Sequence, residues 1–451
     1  MARSGVVPTK LEVVMPAKKV RWEESEQEEG EDEEDEEDED EGDGDEGDEE
    51  EDEGHEQAGR EHKDMEAQED VLVQLLKHGV PLDDLGIKFS DTEGLECLLD
   101  SLGNSDASSD KPRPWDSIKS LSLSFENDCQ PENPNTLKSL LLRLPKTITS
   151  FELCLPNNYT LSIEEPMSME PVLQLPQKFA EKLTAFSISC EWGVQHMFRL
   201  LEHCANLEVL TLDFLSMDSQ WMAEQYAEAT GALKVNLPKL HTLRLRQSPP
   251  DIISVLWYLQ APVLVNLDFE FDDEGGYLDF GGEFLAFLTT ESNCAPTLKS
   301  LRIAGIQWDA IDICDTLDEL PALTHLALEG VCFDEDEDDI LQNLEERCKP
   351  STSHRHLDQP APFLPNLKVL ELIGIVGQKN FHHLVGFISS REQLFRTGAW
   401  SSKSFGSDGR LKALTVTCNK RLSPLDLDSR ERKKLKRSGM VLNVFPRSTW
   451  P

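Results

Sequence analysis

Two histidine groups and one carboxylate run are the residues whose types could do metal chemistry. His354 and His356 flank Arg355, and His382 and His383 are adjacent. A zinc site takes three or four converging ligands, and neither pair has further ligands at suitable spacing. The run Asp334 to Asp339, "DEDEDD", carries the charge of a calcium loop. It lacks the glycine turn and the closing bidentate glutamate of such a loop. Its place after Phe333 suits the first turn of a helix, where carboxylates offset the macrodipole. No phosphate loop, no G-x-S-x-G elbow and no cysteine with an orienting base is present. The sequence predicts no catalytic residue, no cofactor and no metal.

The other chemically capable residues are charges at alternate positions. Arg244 and Arg246, Asp268 and Glu270, Arg302, His325 and Glu329, and Glu371 all interleave with apolar residues. If their segments are strands in register, Arg244, Asp268 and Arg302 share one row, with neighbours about 4.8 Å apart. Two readings stay open. One is a self-satisfying ladder of cross-strand pairs, each worth roughly 0.2–1 kcal/mol. The other is a mixed-charge groove for an extended protein partner. Earlier segments carry small groups instead: Ser120, Ser122 and Ser124, then Ala185, Ser187 and Ser189.

A repeated phrase positions these residues. Leu320 to Gly330 reads "LPALTHLALEG", and Leu364 to Gly374 reads "LPNLKVLELIG". The core of the phrase is an apolar residue, two free positions, an apolar residue, one free position and a third apolar residue. It starts at Leu82, Ile118, Ile148, Leu183, Leu207, Leu240, Leu264, Leu298, Leu323, Leu367 and Leu411, with steps of 24 to 44 residues. The last two apolar residues are two apart and so share one face of a short strand. Such a strand cannot bury that face alone, and stacking the next copy beside it buries both. Helical spacing follows some copies, as in 194–204 and 338–348. The helix 65–78 would cap the first repeat, and 439–445, "GMVLNVF", reads as a final strand.

These phrases, with their "LPxL" and "APxL" lead-ins, resemble the leucine-rich-repeat family over roughly residues 80–445. The resemblance implies an α/β solenoid of about eleven irregular repeats over 66–451, with a curved parallel sheet inside and helices outside. The uneven steps, and the closing run from "ISSREQLF" through "LKALTVTC" to "LKRSGMVLNV", are similar to the repeats of fungal F-box proteins. In that family the repeats hold a substrate and an F-box docks onto the Skp-type linker of a cullin ubiquitin ligase. No F-box signal stands in residues 1–80, where an acidic tail takes its place. The resemblance therefore implies a non-enzymatic scaffold that binds a protein partner on its concave face. A cullin-ligase substrate receptor is the alternative.

Charge separates the tail from the rest. Of the net −43, the stretch 23–56 contributes 26 acidic residues and no Lys or Arg. Glycine and like charges cannot bury a core, so residues 1–65 read as a disordered tail. Such a polyanion attracts basic proteins in the manner of a histone chaperone and argues against direct nucleic-acid contact. Lys18, Lys19 and Arg21, and again Lys433, Lys434, Lys436 and Arg437, have the spacing of nuclear import signals. Ten scattered cysteines without a CxxC pair read as free, mostly buried thiols. With no signal-peptide run and no membrane-spanning apolar stretch, the expectation is an intracellular protein of cytoplasm and/or nucleus.

Overall fold

The computed structural model describes residues 10–15, 70–103, 113–126, 139–155, 175–190, 200–214, 234–248, 253–272, 277–278, 282–331, 340–349, 363–374, 382–397, 410–418 and 441–446. The acidic stretch 23–56, both basic clusters, the run 334–339 and the histidines at 354 and 356 lie outside them.

Thirteen strands form one sheet in strict chain order, every pair parallel. They are β1 (Lys10–Val14), β2 (Asp84–Phe89), β3 (Ser120–Phe125), β4 (Ser150–Cys154), β5 (Ala185–Cys190), β6 (Val209–Phe214) and β7 (Thr242–Ser248). The series continues with β8 (Asn266–Phe271), β9 (Ser300–Ala304), β10 (His325–Glu329), β11 (Val369–Ile373), β12 (Ala413–Cys418) and β13 (Val441–Pro446). The eleven copies of the phrase are the eleven strands β2 to β12. The expected final strand at 439–445 is found as β13, Val441–Pro446. The sequence reading placed Lys10–Val14 inside the tail; the structure pairs it with β2 instead.

The phrase explains the register. Its middle apolar residues form one buried row, from Leu85, Leu121 and Phe151 to Leu326, Leu370 and Leu414, none above 2% exposed. Each strand from β2 to β12 buries two or three such side chains, worth about 1.5–3 kcal/mol apiece at the upper estimate. A slip by one residue would turn all of them to water. Cross-strand charge pairs are worth several times less, so the apolar rows set the register and the charges follow it.

A main-chain link reinforces this. The N–H groups of Lys119 and Ser120 both donate to the Asp83 carbonyl, and those of Thr149 and Ser150 to the Lys119 carbonyl. The same doubled bond recurs at the carbonyls of Thr149, Thr184, Glu208, His241, Val265, Lys299, Thr324 and Lys368.

Helices pack against the buried face. The described part of the capping helix, α1 (70–78), buries Leu72, Val73 and Leu76, and α2 (Thr92–Gly103) buries Leu95, Leu98, Leu99 and Leu102. Asp309 caps α3 (Ala310–Asp318) by accepting from the N–H of Ile311 and Asp312. Next, α4 (Ile340–Arg347) buries Ile340, Leu341 and Leu344. In α5 (His382–Thr397), buried Arg391 donates to the carbonyls of Phe363, Leu364 and Leu367. That bond set holds the lead-in to β11, where Leu364 takes a φ of 45°. Among the described residues no helix is long and apolar enough to cross a membrane.

The terminal glycine of the phrase also has a cause. Gly305, Gly330 and Gly374 close β9, β10 and β11 with φ of 76°, 59° and 64°. Gly305 N–H donates to the Glu329 carbonyl and Gly330 N–H to that of Ile373, so the left-handed turns stack as a column. A Cβ at Gly305 would stand 2.6 Å from the Phe271 carbonyl oxygen. Gly305→Ala should therefore cost about 1–3 kcal/mol of stability, read as a lower urea midpoint by circular dichroism. An unchanged midpoint would show that the turn relaxes freely.

Candidate interaction surface

The residues between the buried ones form the open face of the sheet. Pairing places Arg244 beside Asp268, and Asp268 beside Arg302, on adjacent strands, as the spacing predicts. The same row continues through Ala327 and Glu371. Toward β3 it runs through Thr211, Ser187, Glu152 and Ser122.

The ion pairs do not run straight across that row. Arg246 donates to Asp268 Oδ2 at 2.9 Å and pairs with Glu270. Arg302 reaches Asp268 Oδ1 at 2.8 Å, Glu270 Oε2 at 3.3 Å and Glu329 Oε2 at 2.6 Å. Two local features aim these side chains. Between β7 and β8 the register shifts, with Phe269 opposite Leu245 but Phe271 opposite Ser248. The extra residue in this bulge is accommodated at Gln247, whose φ is 46°. Beyond β9, Arg302 is opposite Ala327 and Glu329 is opposite Ala304. The two alanines leave the diagonal clear for the guanidinium to reach the carboxylate.

The network is half-enclosed. Arg302 is 28% exposed and Asp268 18%. Burial alone would lower the Arg302 pKa, but its bonds to Asp268 and Glu329 outweigh that and raise it above the ordinary arginine value. Two arginines and three carboxylates thus close on one another, which matches the self-satisfying reading for Arg246, Asp268, Glu270, Arg302 and Glu329. His325 and Glu371 approach to 3.4 Å across β10 and β11, but His325 Nε2 makes no hydrogen bond among the described residues.

Arg244 is left out. It is exposed, and no hydrogen bond or ion pair engages it among the described residues. Beside it lies a shallow strip of small side chains that the sequence reading noted only in part. Ser120 pairs with Ser150, and Ser124 with Cys154 and then Ser189. Exposed Glu152 interrupts the strip at β4. At the border, Asp213 on β6 sits opposite Arg246, and its Oδ1 is enclosed with no hydrogen-bond partner among the described residues. Neither Asp213 nor Glu152 stands out in the sequence, because each is a lone acid in a strand of neutral residues.

His383 and the buried cysteine side chains are engaged in packing. His383 Nδ1 lies 2.6 Å from Glu345 Oε2, joining α5 to α4. Burial would raise the Glu345 carboxyl, but bonds to His383 and Lys349 outweigh it and lower its pKa. The thiols of Cys204, Cys294, Cys314 and Cys348 are pushed up to about 12 by burial, so they are poor nucleophiles. Among the described residues no three side chains could hold a metal ion together. Searches against protein-family models and curated protein sequences returned no match.

Asp213 yields a pH prediction. Burial, chiefly, raises its carboxyl above the ordinary value, with Ser189 and Arg246 opposing and Glu270 adding to the shift. A raised carboxyl favours the fold below the unfolded value near 3.8, and that contribution is lost as pH rises through the folded pKa. Asp213→Asn should raise the urea midpoint at pH 7, and the gain should shrink as pH falls toward 4. A gain independent of pH would show that charge is not its source.

Proposed function

We propose that the chain is a leucine-rich-repeat-type interaction protein without catalytic activity, whose open, concave sheet face binds a protein partner. The observation that carries this reading is the contrast within one row. The charges at β8 and β9 are already paired, while Arg244, between that network and the hydroxyl-lined strip, has no partner among the described residues. A pre-paired network is rigid and costs little to order on binding. An unpaired arginine keeps its fork of donors for a carboxylate or a main-chain carbonyl of the partner. The small side chains of β3 to β6 let a partner backbone approach the sheet closely.

The test is affinity purification of the tagged full-length chain from its own cells, with mass spectrometry, for the wild type and Arg244→Glu. The expected result is a protein set that the wild type retains and Arg244→Glu loses, with both chains melting at the same temperature. Arg302→Ala should differ, lowering stability by about 1–2 kcal/mol after solvent screening is allowed for. Recovery of a Skp-type linker and a cullin with both chains would make the receptor reading correct instead. Recovery of basic proteins that leave at moderate salt would move the function to the acidic stretch.

A further inference from the structure

The first strand of the sheet is not a repeat. It comes from Lys10–Val14, while the strand it pairs with begins at Asp84, so residues 16–69 and α1 intervene. Five residues pair in parallel, from Lys10 with Asp84 to Val14 with Lys88. Met15 N–H then donates to the Lys88 carbonyl at 2.7 Å.

The side chains of this strand are held more loosely than those of its neighbours. In β2 and β3 every second residue is buried, at 3% exposure or less. In β1 none of the five is buried; Leu11 and Val13 are half-buried against the core, and only Met15, just beyond, is enclosed. Lys10 and Glu12 pair with each other on the open face at 2.6 Å, both largely exposed. Val14 is 64% exposed. The pairing thus rests on main-chain hydrogen bonds and on three apolar side chains at alternate positions. Nothing in it requires the lead-in that fixes the repeats.

These features define a site by its chemistry. Without β1, the edge of β2 presents unpaired N–H and C=O groups beside an apolar rim, which is what an extended peptide recognises when it adds a strand. We propose that the edge of β2 is a peptide-binding site for extended segments with apolar residues at alternate positions, filled in cis by Lys10–Met15. Its ligand class is an extended protein segment of the pattern Leu-x-Val-x-Met, bound parallel to β2. The proposal is independent of the open-face reading, since it concerns the end of the sheet and none of Arg244, Arg302 or Glu152.

The test keeps the whole chain. A site-specific protease sequence is inserted between residues 22 and 23, so that cutting leaves the first strand attached only by its own contacts. The probe is a fluorescent synthetic peptide of residues 8–17, followed by anisotropy. The cut protein should take up the probe at least about tenfold more tightly than the uncut protein, because cutting removes the advantage of a tethered competitor. A probe carrying Leu11→Asp and Val13→Asp should not bind. If cutting unfolds the chain, the uncut protein with Leu11→Asp and Val13→Asp in its own strand serves instead, and it should bind the wild-type probe. The proposal is overturned if folded protein of either kind leaves the probe free, or takes up the Asp probe equally well. A concentration-dependent dimer of uncut protein that disappears with Leu11→Asp would overturn the cis assignment.

Discussion

One main-chain oxygen per repeat governs the sheet. The carbonyl of the residue just before each strand from β2 to β11 accepts two consecutive N–H groups from the next repeat, and ten such links run from Asp83 to Lys368. Each link fixes where the next strand begins before any side chain is considered. The apolar rows then agree with it, since the same offset buries Leu85 beside Leu121 and Leu370 beside Leu414. Because the constraint sits at the strand starts, the chain between strands is free to vary. Steps of 24 residues and of 44 residues end in the same register.

That division decides what was legible. The eleven strands show in the sequence because each repeats three apolar residues at fixed offsets, and nothing in the fold contradicts them. Strand β1 does not show. It is five residues long, shares no lead-in with the others and stands beside a basic cluster and an acidic stretch that dominate the composition. The row of Arg244, Asp268 and Arg302 was readable from spacing, but the partners were not. Gln247 takes a conformation usually given to glycine, and no residue type announces the bulge it makes. The diagonal from Arg302 to Glu329 depends on Ala304 and Ala327, which look like ordinary small residues until their neighbours are known.

The open face divides into regions by how much of its charge is already used. Around β8 and β9 the guanidinium groups are committed to carboxylates, which stiffens the surface without leaving donors for a partner. Around β3 to β6 there is little charge and little bulk. Arg244 and Asp213 mark the border, one exposed and the other partly enclosed, and among the described residues neither Arg244 nor Asp213 Oδ1 has a partner. A surface with its free groups at the seam between a rigid network and a shallow strip favours a partner that lies across the strands.

The strict chain order of the sheet has a mechanical consequence. With β1 at one edge and β13 at the other, twelve spacings of about 4.8 Å separate the first described strand from the last, roughly 58 Å along the sheet. A load applied between residues 10 and 446 therefore pulls across the strands, in line with the hydrogen bonds. Strands loaded this way peel from the edges one after another and do not resist together as they would in shear. The body behaves as an extensible strap, yielding repeat by repeat, and its weakest stitch is the short strand at its amino-terminal edge.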